Sequence, residues 1–175
     1  VKQLTRRVDG LMSLKDILLQ KEERVLGAWR DRLVASYPTE QAKFIAKNED
    51  SFTNPVGMTL RPALEALYRG LASGNAPEQL QEPLDAIVRL RAVQDFTPAQ
   101  ALAFLPELKE LVRREAGLND EDSRHFDVRV DAALLQAFDI YSACREKLCQ
   151  IRIKELHDRN ARLFERQNRK KGGSV

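Results

Sequence analysis

An all-α single domain of about six helices, the last of them long, is the fold class this sequence predicts. Three observations carry that expectation. No segment alternates apolar and polar residues over the length of a strand, whereas apolar residues recur at three- and four-residue spacing throughout. Ser, Thr, Pro and Gly stand where helices should begin and end. From about residue 121 to 171 there is neither Gly nor Pro, so nothing interrupts one helix. The 175 residues, 43% of them hydrophobic, suit one domain with a sizeable core.

Residues 1–12 read as a flexible N-terminal extension outside the fold. The helical domain takes 13–156, and 157–175 form a basic tail, partly helical to disordered. Ser13 can cap the first helix, with Asp16 three residues on. Leu14, Ile17, Leu18, Val25, Leu26, Trp29 and Leu33 then recur at helical spacing, so one helix is expected until Tyr37-Pro38 stops it. Thr39 opens a short helix through about Lys47. Residues 48–57 read as a loop docked on the body, with Phe52, Asn54 and Pro55 setting its shape. A helix over 60–72 follows, with Gly74 past its end. Another covers 80–93, with Pro83 in an early turn or at its true start. Thr97-Pro98-Ala99-Gln100 combines an N-cap, a proline at the first helical position and a residue able to complete a capping box. That helix should run to Glu115 and close at Gly117, kinked at Pro106. In the last helix Val130, Leu134, Ala137, Tyr141, Cys144, Leu148 and Ile151 step by four and three residues. This is a seam for an antiparallel partner helix or a coiled coil, and Leu134, Tyr141, Leu148 and Ile151 are its candidate dimer contacts.

Charge is unevenly placed. The chain carries 29 Lys+Arg against 26 Asp+Glu, a net of +3. Residues 1–12 hold +2 of this and residues 152–171 hold +5, leaving −4 on the body between them. A basic tail on a mildly acidic body is not a basic nucleic-acid-binding face. No apolar run approaches the ~20 residues that span a bilayer, and no secretory signal is visible. Two cysteines make no disulfide framework, so a reducing, cytoplasmic setting is expected.

Catalytic signatures are absent: no H-E-x-x-H, C-x-x-C, G-x-x-x-x-G-K or G-x-G-x-x-G. Cys144 and Cys149 are five apart on a helix and point in different directions, so they cannot share a metal. His125 and His157 sit among polar residues near the two ends of the last helix. No catalytic residue, cofactor or metal ligand is therefore assigned, and an enzyme is not expected. Two stretches place Arg and Asp beside large apolar residues: 89–96 and 138–147. They are either amphipathic faces or a buried polar network of Arg91, Asp95, Tyr141 and Arg145, with Arg91 or Arg145 paired to Asp95 or Asp139.

Three motifs carry a resemblance. Ser51-Phe52-Thr53-Asn54-Pro55-Val56-Gly57, then Arg89-Leu90-Arg91-Ala92-Val93-Gln94-Asp95-Phe96-Thr97-Pro98-Ala99-Gln100-Ala101, then Ala137-Phe138-Asp139-Ile140-Tyr141 through Cys144-Arg145-Glu146-Lys147 resemble the N-terminal domain of RsbRD-type RsbT co-antagonist proteins. Trp29 and Tyr37-Pro38 fit the same pattern, which spans residues 14–156. The resemblance implies a bacterial stress-response input module of a stressosome-like, partner-switching system, globin-like or a helical bundle, dimeric and without haem. Its long last helix would feed an output domain of the STAS type. No such domain lies within the 175 residues, so the expectation is confined to sensing or docking.

The leading functional expectation is thus a non-catalytic sensory or protein-interaction module, a homodimer with a protein partner in a signalling assembly. The alternative is a small-molecule or tetrapyrrole carrier with Trp29, Phe104, Phe138 and Tyr141 around a pocket and Arg91 or Arg145 meeting an anionic group. Neither a membrane nor specific nucleic acid is expected as a partner.

Overall fold

The computed structural model describes residues 12–47, 54–94 and 96–172. Ser13 Oγ accepts from the Asp16 amide while the Asp16 carboxylate takes the Ser13 amide, and this capping box starts α1 (Leu14–Gln20). The expected single helix breaks at Lys21, which sits at φ −100°, ψ 5° before α2 (Glu22–Ala35) begins. The Lys21 amide turns back to the Leu18 carbonyl, and the buried Tyr68 hydroxyl also donates to that oxygen at 2.8 Å. With its carbonyl held from outside the helix, Leu18 becomes the place where the axis changes direction. Tyr37 and Pro38 end α2 as expected, and α3 (Thr39–Lys47) follows.

The next helix corrects the reading of residues 54–57 as loop. It is α4 (Pro55–Ser73), capped by Asn54, whose side-chain oxygen accepts from the Gly57 amide at 2.8 Å. Asn-Pro is an N-cap followed by a proline at the first helical position, where the missing N–H costs nothing. A Cβ on Gly57 would lie 2.4 Å from the Asn54 side chain, so glycine is what lets the cap close. Gly74 ends the helix at φ 69°. Then come α5 (Pro77–Ala92), α6 (Pro98–Leu102), α7 (Phe104–Ala116) and the 53-residue α8 (Asp120–Gly172). Thr97 and Gln100 form the expected box at the start of α6. Instead of a kink at Pro106, the chain resets at Ala103, placing the proline in the first turn of α7, where no amide is needed. No strand occurs among the described residues.

The core lies between α2, α4, α5, α7 and the first half of α8. Trp29 is fully buried, and its indole donates to the Phe104 carbonyl at 2.6 Å across the α6–α7 break. Phe126, Val130, Ala133, Ala137, Ile140 and Tyr141 give α8 a buried face at three- and four-residue steps. Its neighbours are α5, running the same way with Gln136 at Pro77 and Arg145 at Ala92, and α7, running opposite with Lys109 at Asp131 and Arg113 at Asp127. The seam read from sequence is therefore occupied within the chain over much of its length. From residue 151 to 164 every residue is exposed. That stretch gains none of the roughly 1.5–3 kcal/mol that a buried large apolar side chain returns.

Candidate functional site

Arg91, Tyr141 and Arg145 converge where α8 leaves the body. Arg91 stands in the last turn of α5 and is 1% exposed. The reset at Ala103 leaves the final carbonyls of α6 without helical partners, and the guanidinium supplies donors. Nη2 bonds the Gln100 carbonyl at 2.8 Å and Nε the Ala101 carbonyl at 3.0 Å. Nη2 also reaches Ser36 Oγ at 3.0 Å, at the end of α2. The cation lies over the rings of Phe96, 4.3 Å from its centroid, and Tyr37, 5.1 Å, which meet edge-on. Arg91 thus ties α2, α5 and α6 together.

Two donors from α8 grip the same place. Tyr141 Oη donates to the Phe96 carbonyl at 2.9 Å, and Arg145 Nη1 to the Ala92 carbonyl at 3.2 Å. Both acceptors belong to the chain reversal between α5 and α6. Neither arginine forms an ion pair with a described carboxylate, so the expected pairing with Asp139, which is exposed, does not occur. Asp95 and Phe52 lie outside the described residues, as do 1–11 of the N-terminal extension. The arginines instead satisfy backbone carbonyls, which hold position without requiring a buried carboxylate.

Burial pushes the Tyr37 phenol above its ordinary value, a shift that the nearby Arg91 charge partly offsets. Burial likewise pulls the Arg91 guanidinium below its ordinary value. Tyr37 Oη and Arg91 Nη1 are both buried and form no hydrogen bond of normal length among the described residues, but the two side chains lie close enough to favour each other electrostatically. Sequence reasoning missed Ser36, Tyr37 and Phe96 as parts of this cluster. Tyr37-Pro38 read simply as a helix stop, although a tyrosine at a stop can equally be a wall.

The other singled-out residues are dispersed. Trp29 and Phe104 pack together in the core, ring centroids 6.0 Å apart, Tyr141 is in the clasp, and Phe138 is half exposed on the outer side of α8. These four do not surround one cavity. An open groove of about 1090 Å³ lies instead between α2, α3 and α4, with Leu33, Ile45 and Leu60 along it and Arg30, Asp31, Lys43 and Arg61 at its rim. His125 and His157 are exposed on α8 and do not line it. Of the four seam residues, Tyr141 is buried, Leu134 and Leu148 are half-buried, and Ile151 is exposed. Asn54 is buried; its amide nitrogen donates to the Ile45 carbonyl at 3.0 Å, joining α3 to the start of α4. Pro55 opens that helix. Among the described residues no three His, Cys, Asp or Glu side chains gather as a metal site, and no helix is long and apolar enough to cross a membrane.

The chain belongs to the family of the RsbT co-antagonist protein rsbRD N-terminal domain, whose model matches residues 23–156. A protein of Archaeoglobus fulgidus, described only as an uncharacterized protein, is 29% identical over 134 residues, covering 76% of this chain and 83% of the relative. No solved structure matches the chain. The family points to a stressosome-type regulatory domain.

Proposed function

We propose that this chain is a non-catalytic regulatory module that binds a protein partner within a signalling assembly, works as a homodimer in the cytoplasm, and uses α8 as its output. The observation that supports this most directly is the clasp: Tyr141 and Arg145 of α8 hold the carbonyls of Phe96 and Ala92, beside the buried Arg91. A change in packing among α2, α5 and α6 reaches α8 through those two bonds. The donors end on main-chain oxygens, which suits the transmission of position rather than chemistry.

Native mass spectrometry of the purified full chain tests this reading. A dimer at twice the sequence mass, with nothing retained, is the expected result. A reproducible added mass on each chain would overturn it in favour of a small-molecule carrier. The observation favouring that second reading is the groove between α2, α3 and α4, whose apolar floor and mixed-charge rim, with Arg30 paired to Asp31 and Lys43 to Glu40, suit a mainly apolar ligand.

A further inference from the structure

We propose that two copies of this chain pair antiparallel through the outer face of α8, a face distinct from the seam that packs on the body. The inference rests on the dimeric reading above and specifies its surface and direction. Val128, Leu135, Phe138, Ile153, Leu156 and Phe164 are all exposed, between 48% and 71%. At 3.6 residues per turn they fall within an arc of about 80°. The buried face of α8, centred near Ala137, lies about 140° away from that arc. The same arc also holds Asp131, Ser142, Glu146, Cys149 and Asn160. One helix therefore carries an inner apolar face covered by α5 and α7, and an outer stripe of two apolar patches with a polar middle, which none of the described residues covers.

The outer stripe begins on the part of α8 that packs on the body and continues along the part that leaves it. It is about 54 Å long and about 10 Å wide, or roughly 1,000 Å² in total for two copies, which reaches the lower limit of specific interfaces. A projecting helix with no neighbour of its own is completed by a partner whose stripe has the same length and spacing.

Charge sets the direction. Residues 120–139 carry six Asp/Glu against two Lys/Arg, and residues 152–171 carry eight Lys/Arg against three Asp/Glu. A parallel pair would lay one basic segment beside the other. An antiparallel pair lays each basic segment along the acidic start of its partner's α8. With the stripes fully overlapped, the two-fold axis passes beside Glu146, where the two carboxylates oppose the pairing and the attraction comes from the ends of the helices. Arg159 then stands opposite residue 133, within one turn of the partner's Asp131, which already holds Lys109 of its own chain.

The test is pulsed electron–electron distance measurement on the full chain. Ala161→Cys, off the stripe, carries the spin label, with Cys144→Ala and Cys149→Ser removing the native thiols. Antiparallel pairing places the labels about 45 Å apart, whereas parallel pairing places them within about 20 Å. Sedimentation then compares variants. Ile153→Glu with Leu156→Glu should give monomers whose helical circular dichroism is retained, and Ile151→Glu, on the other face, should leave the dimer intact. Raising salt from about 0.05 M to about 0.5 M should weaken the dimer several-fold. A short label distance overturns the antiparallel arrangement while leaving the dimeric module standing. Dissociation by Ile151→Glu, but not by the stripe variant, overturns the choice of face. A monomeric wild-type protein overturns the inference and the homodimer together, and the regulatory reading then rests on the mass measurement alone.

Discussion

Replacing Arg91 with Met keeps most of the side-chain volume and removes all the donors. The carbonyls of Gln100 and Ala101 then lose the bonds at 2.8 and 3.0 Å that close the end of α6. The buried Ala101 carbonyl left without a donor costs about 1–3 kcal/mol, the Gln100 carbonyl less because it is only partly buried and water can replace the donor, and the contacts over Phe96 and Tyr37 add on the order of 1 kcal/mol. Against this, the variant no longer holds a charge away from water, a relief of similar order. Ser36 loses little, because its hydroxyl still donates to the Leu33 carbonyl at 2.6 Å. The balance is a destabilisation of about 1–3 kcal/mol, or a fall in Tm of roughly 3–10 °C for a chain of this size. Thermal unfolding followed by circular dichroism, with urea unfolding as a second axis, measures it. A Met variant as stable as wild type, or more so, would refute the reasoning. Arg91 would then be a buried cation that the fold merely tolerates.

Further outcomes follow from other parts of the molecule. Burial pushes the Tyr68 phenol far above its ordinary value of 10.0, so its contribution to stability is present below pH about 10 and is lost as pH rises further. Urea midpoints should therefore fall from pH 9 to 11, and Tyr68→Phe should flatten that slope while costing about 0.5–1.5 kcal/mol at neutral pH through the lost bond to Leu18. Asn54→Ala should cost about 0.5–2 kcal/mol, and Gly57→Ala should be harmful in wild type but much less so in the Asn54→Ala background, because the added methyl collides with the cap itself. A double-mutant cycle by urea unfolding reads that coupling, and additive costs would contradict it. Gly74→Ala should cost about 1 kcal/mol or more, since its φ of 69° is left-handed and the new Cβ would meet the Arg129 guanidinium at 3.0 Å. Gly27→Ala, with open space around it, serves as the control and should not destabilise.

Much of the fold was legible because helix signals are local. The Ser13 and Thr97 boxes, the stops at Pro38 and Gly117, and the uninterrupted run of α8 all depend on neighbours within four residues. The breaks at Lys21 and Ala103 were not legible, because long-range partners hold the carbonyls beside them. Tyr68 takes Leu18 from 50 residues away, while Trp29 and Arg91 take the oxygens around Ala103. The start of α4 was available in Asn-Pro and was obscured by reading both residues as turn formers. In the clasp, Arg91, Tyr141 and Arg145 stood out as polar groups in apolar runs. That they bond the backbone carbonyls of Gln100, Ala101, Phe96 and Ala92 could not be read, since backbone acceptors leave no mark in a sequence. The apolar steps of α8 mark an inner face, but only the packed fold separates it from the outer one.

The length of α8 also has a mechanical meaning. About 24 residues of the helix lie beyond Leu148, after which every residue described to 164 is exposed, so the arm is roughly 36 Å long. The bonds from Tyr141 and Arg145 sit just inside the point where that arm begins. A tilt of about 5° at this fulcrum sweeps the far end through about 3 Å, comparable to the length of a hydrogen bond. The helix is therefore a lever as well as a surface: a repacking too small to register in the body is enough, at its tip, to make or break a contact.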